Sequence, residues 1–245
     1  MKHRQRLADQ HGCRECLHPQ SVSLFMRNPS RQSEVPVTET TAHQAAADPR
    51  QDEKIYISAN ELLRDSFELG LRVLQDGFRP DFIVAVWRGG TPVGIAVQEL
   101  LSYCDIQSDH IAIRTSYYHG IDKTHREVQV HNLGYLAENL NHDHSLLIVD
   151  DVFDRGRSIQ AIMDKLNQLL RRNMPKETRI ATVWYKPEKN LTELVPHYYV
   201  HETAQWLVFP HELAGLTHQE VAYGKTSIAG IVQSAQKLCR EDAAE

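Results

Sequence analysis

Cysteine is scarce: the 245 residues hold four, at positions 13, 16, 104 and 239, too few and too scattered for a disulfide framework. Cys104 follows an apolar helical run and is expected to act as a small buried hydrophobe. Long apolar runs are missing as well, since none approaches the roughly 18 residues needed to cross a bilayer. Met1-Lys2-His3-Arg4 leads into no apolar signal segment. A soluble, cytoplasmic chain with no membrane partner is expected. Positive charge is not in excess either: 27 Lys and Arg against 32 Asp and Glu leave a formal net charge of -5. That balance argues against nucleic acid as a partner, which a strongly basic surface would attract, and leaves small anionic substrates open.

Apolar residues are also thin over residues 1–52, where Gln, Arg, Ser, Pro and Thr dominate and only Val22, Leu24, Phe25 and Met26 cluster. This composition reads as a flexible N-terminal extension. His11, Cys13, Cys16 and His18 have the chemistry of zinc ligands, but they crowd into one short stretch with no second pair at finger spacing, so no metal site is expected there. The five histidines between His119 and His144 likewise lack helical spacing and read as solvated loop residues.

From Ile55 the composition is that of a folded domain. Ser58 or Asn60 can cap a helix that presents Leu63, Phe67, Leu71 and Leu74 on one face and ends at Gly77. Phe82 to Val86 is a continuous apolar strand of the kind buried in parallel sheets. Trp87-Arg88-Gly89-Gly90-Thr91-Pro92 turns it into a helix carrying Val93, Ala96, Val97, Leu100 and Leu101. Ile111 to Thr115 reads as a strand, residues 116–127 as a long polar loop suited to a lid, and Val128 to Leu133 as an antiparallel strand leading back. Ile180 to Tyr185 gives another parallel strand and Tyr198 to Val200 a short one. Strands alternating with helices predict an α/β, doubly wound, mainly parallel sheet whose ligands bind beyond the carboxyl ends of the strands.

The richest stretch is Leu146-Leu147-Ile148-Val149-Asp150-Asp151-Val152-Phe153-Asp154-Arg155-Gly156-Arg157-Ser158. An apolar strand runs through an acidic, glycine-containing loop into a helix with Ile159, Ile162, Met163, Leu166, Leu169 and Leu170 at helical spacing. The first amides of that helix have no intrahelical partner and lie at the positive end of its dipole, so they suit a phosphate. The carboxylates of Asp150 and Asp151 can accept hydrogen bonds from sugar hydroxyls close by. A ribose 5-phosphate fits that description.

These residues resemble the phosphoribosyl pyrophosphate signature of the type I phosphoribosyltransferases, closest in motifs to the hypoxanthine/xanthine-guanine (6-oxopurine) enzymes, and the resemblance covers about residues 55–215. It implies a phosphoribosyltransferase domain 53–215 with a flexible lid loop and a small C-terminal hood, lying between the extension 1–52 and a C-terminal segment 216–245 whose Ile228, Ile231 and Val232 suggest a helix. It also implies roles. Arg88, Gly89, Ser116, Tyr117, Asp150, Asp151, Arg155, Gly156, Arg157 and Ser158 would bind phosphoribosyl pyrophosphate, with Arg155 standing where many relatives place Thr. Asp154 would take or share the purine proton as general base. Lys186, Trp206 and Leu207 would bind the base, the ammonium donating to a carbonyl at its 6-position. Asp151 and Glu212 would hold Mg2+. A strained non-proline cis peptide is expected at Trp87-Arg88. The implied reaction transfers ribose 5-phosphate to hypoxanthine, guanine or xanthine and releases pyrophosphate, in purine salvage, by a homo-oligomer. The alternatives are a phosphoribosyltransferase for another base, or a regulator on the same fold that senses phosphoribosyl pyrophosphate or nucleotides.

Overall fold

The computed structural model describes residues 54–119 and 126–241. The N-terminal extension with its His11, Cys13, Cys16 and His18, and the middle of the expected lid, lie outside the described residues. Among the described residues no helix is long and apolar enough to cross a membrane.

Six strands form the central sheet: β2 (Phe82–Trp87), β3 (Asp109–His119), β4 (Arg126–His131), β5 (Ser145–Phe153), β6 (Glu177–Tyr185) and β7 (Tyr198–Glu202). Their order is β4-β3-β2-β5-β6-β7, parallel throughout except for β4, which runs antiparallel to β3. β2 and β5 lie inside the sheet and have helices on both sides, so they must be apolar on both faces. Phe82 to Val86 and Leu146 to Val149 are buried without alternation for that reason. A separate two-stranded parallel sheet joins β1 (Lys54–Tyr56) to β8 (Trp206–Val208).

α1 (Ala59–Gln75) and α2 (Gly90–Tyr103) cover one face of the main sheet, and α3 (Gly134–Asn139) and α4 (Arg157–Leu170) cover the other, each with its own apolar cluster. α5 (His218–Gly224) and α6 (Ala229–Glu241) follow. Ser58 caps α1: its hydroxyl accepts from the Glu61 amide, and the Glu61 carboxylate accepts from the Ser58 amide. α4 buries Ile159, Ile162, Leu166 and Leu170 as its spacing predicts, while Leu169 faces solvent.

Three expectations are corrected. α1 turns Leu63 (51% exposed), Phe67 (39%) and Leu71 (42%) outward and buries Leu62, Ser66, Leu69, Gly70 and Val73 instead. The cause is the approach of α2, because a Cβ on Gly70 would stand 3.0 Å from the Leu100 side chain, and only a face with small residues lets the helices pack so closely. Cys104 is exposed, since it caps the C-terminus of α2 after the buried Leu101 instead of lying within the helix. Ser116 and Tyr117 do not open a long loop; β3 continues through them to His119 and pairs with β4, Ser116 opposite Gln129 and Tyr117 opposite Val128. Pairing with β4 extends the strand through polar residues whose composition did not advertise it.

Candidate active site

The carboxyl ends of β5 and β6 and the strand β8 frame two neighbouring cavities. The first, of about 630 Å³, is lined by Asp150 through Ile159 and by Trp206. The second, of about 580 Å³, is lined among others by Val152, Asp154, Arg155, Lys186, Leu191, Trp206 to Phe209 and Glu212. Val152, Asp154, Arg155 and Trp206 belong to both, so the cavities meet at those residues.

The floor of the first cavity is the N-terminus of α4. Gly156, at φ 74°, occupies the left-handed conformation that precedes α4, and the first α4 bond runs from Gln160 N to Gly156 O at 2.9 Å. The amides of Arg157, Ser158 and Ile159 therefore begin a 14-residue helix without intrahelical partners. The loop is buttressed from behind. A Cβ on Gly156 would meet Thr192 Oγ1 at 2.4 Å and Asn190 Oδ1 at 2.9 Å, and Leu191 N donates to Arg155 O at 3.2 Å. The sequence reading missed Asn190 and Thr192, which follow an unremarkable 3-10 turn, Pro187–Lys189.

The acidic pair sits one strand away from a second loop. Trp87-Arg88 is a cis peptide, as expected. A Cβ on Gly89 would fall 1.8 Å from Asp151 Oδ2, and one on Gly90 2.5 Å from Val149 O, so both positions need glycine for close approach. Asp150 Oδ1 accepts from the Asp151 amide at 3.0 Å. Burial, first, and then the neighbouring Asp151 carboxylate push the Asp150 carboxyl well above the usual range. Asp151 is buried, and His211 Nε2 lies 3.5 Å from its Oδ2 with the His211 ring stacked on Phe209. His211 was not anticipated either.

Asp154 and Lys186 face each other where the cavities meet, with Nζ 3.6 Å from Oδ2. Lys186 is 6% exposed, and burial lowers its pKa while Asp154 pulls it back up. Asp154 Oδ1 is buried with no hydrogen-bond partner among the described residues. Trp206 is 58% exposed on β8, its ring beneath the Lys54 ammonium at 5.7 Å, and Leu207 is buried beside it.

Not every expected residue converges. Arg88 and Ser116 line neither cavity, and Ser116 Oγ lies 2.9 Å from His131 Nε2 across the β3–β4 hairpin that also carries Tyr117. Asp151 lines the first cavity and Glu212 the second, where Glu212 Oε2 accepts from Phe209 N at 3.1 Å. Among the described residues no group of three or more His, Cys, Asp or Glu side chains converges as a metal cage. Mg2+ is commonly held by one or two carboxylates with substrate phosphates supplying the rest, and Asp151 in the first cavity fits that habit.

The chain matches the phosphoribosyl transferase domain over residues 50–214, about two thirds of its length. It belongs to the phosphoribosyltransferase family. No curated protein matches it. Among solved structures this phosphoribosyltransferase is similar to a purine phosphoribosyltransferase from Pyrococcus horikoshii, at 28% identity and a TM-score of 0.55, over 67% of this chain and 97% of that one. Two further neighbours share the fold. One is a hypothetical protein from Neisseria gonorrhoeae with bound ppGpp, at 18% identity and a TM-score of 0.54, over 72% of this chain and 98% of that one. The other is a xanthine-guanine-hypoxanthine phosphoribosyltransferase from Helicobacter pylori, at 20% and 0.50, over 64% and 92%.

Proposed function

We propose that this phosphoribosyltransferase transfers ribose 5-phosphate from phosphoribosyl pyrophosphate to a 6-oxopurine, hypoxanthine, guanine or xanthine, and releases pyrophosphate. The observation that carries the reading is the Asp154–Lys186 pair at the junction of the two cavities. The α4 amides and Ser158 would hold the 5-phosphate, Asp150 and Asp151 the ribose hydroxyls, and the Gly89-Gly90 loop the pyrophosphate. The base would lie against Trp206 and Leu207.

In that pose the bond from N9 of the base to C1 of the ribose forms as the bond from C1 to the pyrophosphate oxygen breaks, and pyrophosphate leaves with the electron pair. The proton displaced from the imidazole ring of the purine goes to Asp154, whose side chain is part-exposed where the two cavities meet. Lys186, a donor only, matches a carbonyl at the 6-position and mismatches the amino group of adenine. Bound Mg2+, with Asp151 as a protein ligand, would neutralise the charge of the leaving pyrophosphate. Glu212 stands on the base side and is better placed to orient the wall than to meet that ion. The purine name of the Pyrococcus relative agrees with this reading.

Incubation with phosphoribosyl pyrophosphate, Mg2+ and each free base in turn tests it, with chromatography of the nucleotide and an assay of pyrophosphate as readouts. Nucleotide from at least one 6-oxopurine and little from adenine is expected. Tight binding of purine nucleotides with no turnover of any base would replace the enzyme by a nucleotide sensor on the same fold.

A further inference from the structure

α5 begins beyond the stretch matched to the family, and it is bound to the base wall at both ends. At the β1 end, Lys54 forms an ion pair with Glu220 and places its ammonium over the Trp206 ring. That pairing, with the Thr217 amide, holds the Glu220 carboxyl down at about 2. A Cβ on Gly224 would lie 2.1 Å from the Tyr56 ring, so the end of α5 rests directly on β1. Next to Gly224, at the C-terminal end of α5, the capping Lys225 is only 6% exposed, and its ammonium donates to the carbonyl oxygen of Phe209.

A lysine at a helix C-terminus normally serves its own helix: it stays in water and stabilises the helix's last carbonyls. Lys225 instead reaches back sixteen residues into a buried position. Burying an ammonium is costly unless it is paired, and burial does push this one's pKa down, while the Glu212 carboxylate draws it back up. Glu212 in turn accepts from Phe209 N and gives its own amide to Phe209 O at 3.0 Å. Both main-chain groups of Phe209 are therefore occupied, the amide by Glu212 and the carbonyl by Glu212 N and Lys225 together. Phe209 closes the wall that continues Leu207 and Val208, and Ile57 N donates to Val208 O at 3.0 Å on the β1 side.

We propose that Lys225 is a positioning residue for the nucleobase: its buried ammonium fixes the Phe209 carbonyl and, with Glu212, the stretch of wall against which the base lies. The inference rests on the purine reading above and extends the base site to a residue outside the family match. It also places one determinant of base affinity on a different element from every proposed phosphate contact.

Steady-state kinetics of the full chain, Lys225→Met and Lys225→Arg test it, with the base and phosphoribosyl pyrophosphate varied separately and thermal melts alongside. Loss of a charge-assisted hydrogen bond behind the wall is expected to raise KM for the base by about tenfold in Lys225→Met. KM for phosphoribosyl pyrophosphate and kcat should stay within about twofold, and Lys225→Arg should recover most of the loss. An unchanged KM for the base in a folded Lys225→Met overturns the inference. So does a parallel fall in both affinities and in melting temperature, which marks a purely structural role. Should Lys225→Met be insoluble, Lys225→Gln, a neutral donor, takes its place with the same criteria. A parent enzyme inert toward every base removes the purine reading and this inference together, whereas an active parent with an indifferent variant removes Lys225 alone.

Discussion

The first cavity is lined by one unbroken run, Asp150 to Ile159, with Trp206 added, whereas the second draws on β5, the turn after β6, β8 and the residues that follow it. On the proposed function the difference follows from what each would hold. A phosphate is recognised by main-chain amides at a strand-to-helix junction, and a junction is contiguous by construction. A flat heterocycle must be met on its faces and its edges, which needs side chains and backbone brought from separate strands. The two cavities should therefore fail differently when altered: the first in its affinity for the phosphorylated sugar, the second in its choice of base.

Asp154 belongs to both, and its replacement should have the largest effect. Asp154→Asn keeps the size of the side chain and removes the proton acceptor, so turnover should fall by about 10² to 10⁴ while affinity for phosphoribosyl pyrophosphate holds. Single-turnover rates and a direct binding titration check this, and a loss confined to a few-fold would take the base role away from Asp154. Lys186→Met should act on the second cavity alone. A hydrogen bond to a charged group contributes about 1.5 to 3 kcal/mol, so kcat/KM for hypoxanthine should drop by roughly 10- to 150-fold, and binding of phosphoribosyl pyrophosphate should not change. Equal losses for both substrates would dissolve the division between the cavities.

Gly156→Ala is the reciprocal case. It forces a side chain into the left-handed region, at about 1 to 2 kcal/mol, and drives a Cβ toward Thr192 and Asn190. KM for phosphoribosyl pyrophosphate should rise about tenfold or more, with the ranking of bases preserved; a changed ranking would mean that the loop also shapes the base cavity.

The smallest effect is one of stability. Burial keeps Asp150 protonated above the value of about 3.9 at which an aspartate in the unfolded chain ionises. Between those two values the unfolded chain has released a proton that the folded chain keeps, so stability falls as pH rises through that window. Asp150→Asn removes the titration. Its melting temperature should exceed the parent's by a few degrees near neutral pH and by little near pH 4, and a series of melts across that range is the check. A uniform offset at every pH would point to altered packing instead.

Much of this was legible in the residues themselves. The alternation of strands and helices along the chain, the cap at Ser58 and the strand-to-helix loop at Gly156 depend on short-range patterns of apolar runs, hydroxyl and acid spacing and a glycine at a turn, whereas the cis peptide at Trp87-Arg88 was expected from the family resemblance. Lys186 could be singled out because it ends a recognisable strand beside the loop it serves. Tertiary structure alone decided the rest. α1 carries two apolar stripes, and close packing against α2 chose the one with Ser66 and Gly70 over the bulkier Leu63, Phe67 and Leu71. His211 meets Asp151, Thr192 supports Gly156, and Lys225 reaches Phe209 only after distant segments have been brought together, and no local periodicity records such pairings. Backbone conformation and amphipathic pattern are set by neighbours in the chain, whereas desolvation, close approach and hydrogen-bond partnership depend on whatever else the fold places alongside.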